Sequence, residues 1–109
     1  MFKILITLSL FLVAIQGQLV GGYIDRPDLL ESPVTQLMVK LAVNDLAQAQ
    51  NLQVTGTHVV NVATQLVNGV NFLVVFTAQK ADTSDVLLCS AKFYQPIEGA
   101  RSLTSVQCA

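Results

Sequence analysis

Apolar and polar positions divide the chain into stretches with different periods. Ile4 to Ile15 is an almost continuous apolar run, broken only by Thr7 and Ser9. From Val34 the apolar residues Leu37, Met38 and Leu41 recur at spacings of three and four, and Val39, Val43, Leu46 and Ala47 widen that face. Such spacing predicts an amphipathic helix with most of its surface covered by something large. Ser32-Pro33 supplies the start, since serine can cap exposed N–H groups and proline suits the first helical position. The helix is expected to run to about Ala49.

Beyond the helix the period changes to two. Between Leu52 and Leu66 the even positions Leu52, Val54, His58, Val60, Val62, Thr64 and Leu66 form one mostly apolar face, and Gly56 interrupts them. The odd positions are mostly polar, as expected of a strand with one buried and one wet side. Gly56 is a candidate bulge, where a long strand curves round the helix. A second strand, Val70 to Gln79, again places Val70, Phe72, Val74, Phe76 and Ala78 on its even face. Parity selects the turn between them. A two-residue Asn68-Gly69 turn would oppose Leu66 to Asn71, and a one-residue slip sends every side chain to the other face. A three-residue loop, Val67-Asn68-Gly69, pairs Leu66 with Val70, Thr64 with Phe72 and Val62 with Val74, and Gly69 supplies the positive φ that such loops use. Val67 then sits at a hairpin tip rather than in the core.

Lys80 to Asp85 reads as a polar connection, and Val86–Gln95 with Arg101–Cys108 as a second hairpin around Pro96-Ile97-Glu98-Gly99. Setting Cys89 directly across from Cys108 opposes Ala91 to Val106 and Phe93 to Thr104, all on one largely apolar face. Residues 18–31, with Gly21-Gly22 and Pro27, have no hydrophobic period and read as an extended arm. The expected fold class is α+β: one N-terminal helix packed on a four-stranded antiparallel sheet, or a five-stranded one if the arm joins its edge.

Composition bears on where the protein works. The apolar run at the N-terminus follows a single charge, Lys3, and spans 12 residues. A hydrocarbon core of roughly 30 Å takes about 20, so the run has the length of a signal-peptide core and not of a membrane span. Residues 1–17 are therefore expected to be a signal peptide cut after Gly17, leaving residues 18–109 as a secreted domain with no membrane segment. Outside the cell thiols oxidise, so Cys89 and Cys108 are expected to form a disulfide. The net charge is −1 and charged residues are 12% of the chain, without a basic run. That excludes a nucleic-acid binder, which needs clustered Lys and Arg. Two Cys and one His do not make a four-ligand zinc site, and no metal or cofactor is implied. His58 falls on the inner strand face, a place for a hydrogen-bonded structural histidine. No nucleophile accompanies it, no carboxylate pair suggests acid and base, and no glycine loop suits a phosphate. An enzyme is the least supported class.

What stands out is apolar residues in exposed places: Leu19-Val20 on the arm, Val67 at one hairpin tip and Ile97 at the other. Gathered at one end of a sheet, they would form the kind of apolar edge that marks a protein contact.

Leu19-Val20-Gly21-Gly22, then Gln65-Leu66-Val67-Asn68-Gly69 as Q-x-V-x-G, then Pro96-Ile97 flanked by Cys89 and Cys108, resembles the cystatin pattern across essentially the whole mature chain. The signal peptide and disulfide resemble the secreted members. The resemblance implies a reversible, competitive inhibitor of papain-like cysteine proteases, with arm and hairpins forming a wedge that fills the active-site cleft. It places Leu19 and Val20 in the non-primed pockets and has Gly21, next to Gly22, turn the backbone away from the thiolate. Gln65, Leu66, Val67, Asn68 and Gly69 would lie over the catalytic pair, and Pro96-Ile97 on the primed side. Ile97 stands where the family pattern carries Trp, and the segment after the third strand lacks the usual additional disulfide. A weaker primed-side contact is expected on that account. The alternative is a secreted cystatin-fold binding or structural module without inhibitory activity. The expected state is a monomer, with hairpin exchange through the β-rich Val70–Phe76 run as a route to a dimer.

Overall fold

A computed structural model describes residues 22–109 of the chain. The expected signal peptide, and Leu19, Val20 and Gly21 of the arm, lie outside the described residues. Strand β1 (Ile24–Asp25) leads through a single 3-10 turn (Pro27–Leu29) into helix α1 (Pro33–Ala49). Four strands follow: β2 (Val54–Val67), β3 (Gly69–Lys80), β4 (Val86–Gln95) and β5 (Ser102–Cys108). They make one antiparallel sheet in the order β1-β2-β3-β4-β5, with α1 packed across one face. The arm does join the edge, and the protein is α+β with five strands. Among the described residues no helix is long and apolar enough to cross a membrane.

The helix begins and ends as its sequence dictates. Ser32 is extended and its hydroxyl accepts from the Val34 N–H at 3.2 Å, with Pro33 in the first helical position. At the other end Asn51 adopts a positive φ of 54°, which asparagine tolerates, and the Leu52 N–H folds back onto the Leu46 carbonyl. The buried stripe differs from the expected one. It runs through Thr35, Met38, Val39, Ala42 and Leu46, whereas Leu37 and Leu41 are exposed. At about 100° per residue Leu41 lies roughly 100° and Leu37 roughly 140° round the helix from Ala42, outside the buried stripe. Side-chain size was a poor guide: a small residue, Ala42, lets the helix lie close on the sheet. Thr35 is also admitted because its hydroxyl donates to the Leu29 carbonyl at 2.6 Å.

Against this stripe pack Val62, Val74, Phe76, Ala78, Cys89, Ala91, Phe93 and Val106. The β2–β3 register holds Leu66 opposite Val70, Thr64 opposite Phe72 and Val62 opposite Val74, as the three-residue loop requires. Further down β2 the pairing shifts twice, between Val59 and Asn61 and between Thr55 and His58. Gly56, at a φ of +59°, lies in the second shift and is the expected bulge. The first shift was not expected, and it reverses the faces. Val59 opposes Phe76 and packs on the core, while Val60 and His58 are exposed. His58 is therefore not an inner-face histidine; it sits opposite Thr77 on the uncovered side of the sheet. The second bulge restores parity, so Val54 again packs on the core.

In the second hairpin Cys89 opposes Cys108 and the two form a disulfide, with Ala91 opposite Val106. One further irregularity, between Lys92 and Phe93, moves Leu103 rather than Thr104 across from Phe93. Leu103 packs on the core and Thr104 is exposed, which puts a partly buried isobutyl group where a hydroxyl would have been.

The disulfide closes a loop of 108 − 89 + 1 = 20 residues. Replacing both cysteines by serine should lower unfolding stability by about 3 kcal/mol from loop entropy alone, and more because Cys89 is buried. A urea titration of the two proteins measures the difference; an unchanged midpoint would contradict it.

Candidate functional site

Both hairpin turns, Val67–Gly69 and Pro96–Gly99, lie at one end of the sheet, since the β3–β4 register sets Val70 beside Gln95. The arm points the same way. Ile24 pairs with Thr64 antiparallel, so the chain preceding it, Tyr23 and Gly22, runs toward Gln65 and Leu66. Arg26 anchors the root of this arm: its N–H bonds the Val62 carbonyl at 2.7 Å and its guanidinium holds Asp28 at 2.8 Å. That hydrogen bond keeps the Asp28 carboxyl below its ordinary range. Asn61 Nδ2 also donates to Asp25 Oδ1 at 3.3 Å, tying the arm strand to β2.

The tips are apolar and open to solvent. Leu66 is 72% exposed, Val67 38% and Ile97 77%. Val67 stands at the tip as expected. Leu66 shares the inward parity of Val62 and Thr64, but it lies past the buried stretch of that face and is left uncovered. Between the hairpins, Leu66, Val67, Gly69, Val70, Gln95, Pro96 and Ile97 line a shallow notch. Of the expected site residues, the fold brings together Gly22, Gln65, Leu66, Val67, Asn68, Gly69, Pro96 and Ile97 at this end; Leu19, Val20 and Gly21 fall outside the described residues.

The opposite side of the first hairpin is polar and bonded. Asn71 Nδ2 donates to Gln65 Oε1 at 3.0 Å across the strands. The Tyr94 hydroxyl, one strand further, donates to the Asn68 carbonyl in the turn. Tyr94 and Asn71 carried no signal in the motif. Their places in one cross-strand row with Gln65 could have been read from the register once the turn length was settled.

Both cysteines are in the disulfide, and among the described residues no group of three His, Cys, Asp or Glu could hold a metal ion. The arrangement offers shape and apolar surface, which suits binding. The chain matches no protein-family model and no curated protein.

Gly69 has a φ of +119°, and a Cβ there would lie 2.5 Å from the Gln95 carbonyl oxygen and 2.9 Å from the Tyr94 hydroxyl. Gly69→Ala should therefore destabilise the protein by about 1–3 kcal/mol through backbone strain and the clash. A thermal melt reads the loss, and an alanine variant as stable as the parent would refute the tight tip.

Proposed function

We propose that the mature chain is a secreted, reversible and competitive inhibitor of papain-like cysteine proteases. One observation carries the reading. Two hairpin tips and the described arm residues Gly22 and Tyr23 lie at one end of the sheet, where Leu66, Val67 and Ile97 are open to solvent. That is the layout the cystatin resemblance implies for a wedge, and the tips' apolar surface suits a cleft that binds extended peptides. Inhibition would need no covalent step. The hairpins are already ordered and lose little conformational entropy on docking, while Leu19 and Val20 of the arm would add contacts at an ordering cost. The disulfide and the apolar run over residues 4–15 fit export.

A second reading, a cystatin-fold binding module without inhibitory activity, is favoured by Ile97. Isoleucine offers less surface than the indole of the family pattern, and aromatic anchors contribute heavily at interfaces.

Titrating papain and a cathepsin L-like enzyme with the protein cut after Gly17 separates the two. Competitive inhibition is expected at or below micromolar concentration, and its absence would reject the inhibitor reading. Val67→Asp should weaken inhibition by about tenfold or more, since a carboxylate at the tip would be desolvated unpaired on docking. Ile97→Trp should tighten it, by about tenfold if the added ring is buried. Steady-state inhibition constants measure both, and a tryptophan variant no tighter than the parent would show that the second hairpin makes no contact.

A further inference from the structure

We infer that Tyr94 is a positioning residue that locks the two hairpins into one rigid edge; its bearing on inhibition rests on the inhibitor reading above. Adjacent hairpins of a meander sheet are joined by the ladder between their inner strands, here β3 and β4, and that ladder stops at Val70 and Gln95. Val67, Asn68 and Gly69 extend past it, so the backbone ladder does not hold the tip of the first hairpin to the second. Tyr94 spans this gap. It lies opposite Asn71 on the side of the sheet away from the helix, and its hydroxyl reaches the Asn68 carbonyl. Its ring edge lies directly under Gly69, where a Cβ would come within 3.0 Å of Cε1. The missing side chain at Gly69 and the tyrosine are thus two halves of one contact.

The brace acts from one face and leaves the other free. Asn71 and Gln65 bond on the same side as Tyr94, while Leu66 and Val70, of opposite parity, line the notch with Pro96 and Ile97. Gln65, Asn71 and the Asn68 carbonyl are bonded at the back, while Leu66, Val70, Pro96 and Ile97 make the notch mostly apolar. A tip held this way does not have to be ordered when it docks, and preorganisation of that kind lengthens the life of a complex more than it speeds encounter.

Tyr94→Phe keeps the ring against Gly69 and removes only the hydroxyl. Ser102→Ala, across from Tyr94 on β5, serves as a control for altering that row without touching the turn. Two measurements apply: amide hydrogen exchange across residues 67–70, and association and dissociation rates with papain. In Tyr94→Phe, exchange at the tip should quicken by about fivefold, the loss of one ordinary hydrogen bond, while exchange in β3 and β4 below it stays unchanged. Dissociation from papain should quicken by about the same factor with association unaltered, and Ser102→Ala should change neither. Unchanged tip exchange in Tyr94→Phe overturns the brace. Unchanged dissociation, with a parent protein that inhibits, overturns its role in binding. If the parent does not inhibit, the inhibitor reading falls, and the exchange measurement still decides whether Tyr94 holds the tip.

Discussion

The turn at Gly69 assigns the side chains of β3, and those of β2 as far as its first bulge, to their faces. Strand side chains alternate with period two, so the residue that sets the register also chooses the core. The positive φ of Gly69 closes the hairpin with Leu66 opposite Val70, and Val62 and Val74 then face each other under the helix. The same choice leaves Val67 as the last paired residue of β2, opposite Gly69 at the tip, and turns Gln65 and Asn71 to the other side. Core and exposed tip therefore share a single geometric origin. A change of one residue in that loop would bury the polar row and expose the apolar one.

Strong local signals were legible in the sequence; irregularities in otherwise regular elements were not. Ser32-Pro33 marked the helix start because capping is a matter of local chemistry. The Val67-Asn68-Gly69 loop followed from parity and the glycine at its end, and the Cys89–Cys108 disulfide from the expected export, with which the strand pattern agreed. The helix stripe was misread because Leu37 and Leu41 are large, while close packing selected Ala42 and a bonded Thr35. The bulge at Val60 carries no glycine and left no mark in the sequence; only pairing with β3 reveals that Val59 replaces Val60 on the core side. The shift that admits Leu103 in place of Thr104 is of the same kind. At the tips, the motif residues were visible as a string, but the division of labour among them was not. Gln65 and Asn68 are engaged by Asn71 and Tyr94, whereas Leu66, Val67 and Ile97 are presented outward.

That division has a physical logic. An apolar tip that projects into water tends to collapse onto itself or onto the sheet unless its backbone is held. Here the hold comes from polar bonds on the back of the first hairpin and from β3–β4 pairing below it. Leu66 and Val70 alternate to one side of the two strands and the Gln65–Asn71–Tyr94 row to the other, so a partner seated on the notch, as the inhibitor reading proposes, would leave that row uncovered. Arg26 and the Asn61–Asp25 bond anchor β1, so Tyr23 and Gly22 run along the first hairpin toward its tip.

A strand-rich chain with 52% hydrophobic residues must also keep its sheet edges from pairing with other chains. The two edges are blunted differently. On β2, the double bulge interrupts the stretch that the two-residue β1 leaves uncovered. On β5, Leu88 and Ala109 exchange both backbone bonds, and alternation then turns the Val106 carbonyl outward, away from β4. The residue that ends the helix, Gln50, reaches over and donates to that carbonyl at 2.8 Å. The helix thus covers the face and, through one amide, an edge as well. With the edges interrupted and the inner face filled, apolar side chains still meet water at the hairpin end, through Leu66, Val67 and Ile97, and also at Leu37 and Leu41 on the helix and Val86 and Leu88 on β4. Protection of the edges and exposure of the hairpin tips thus rest on different residues, and one can change without the other.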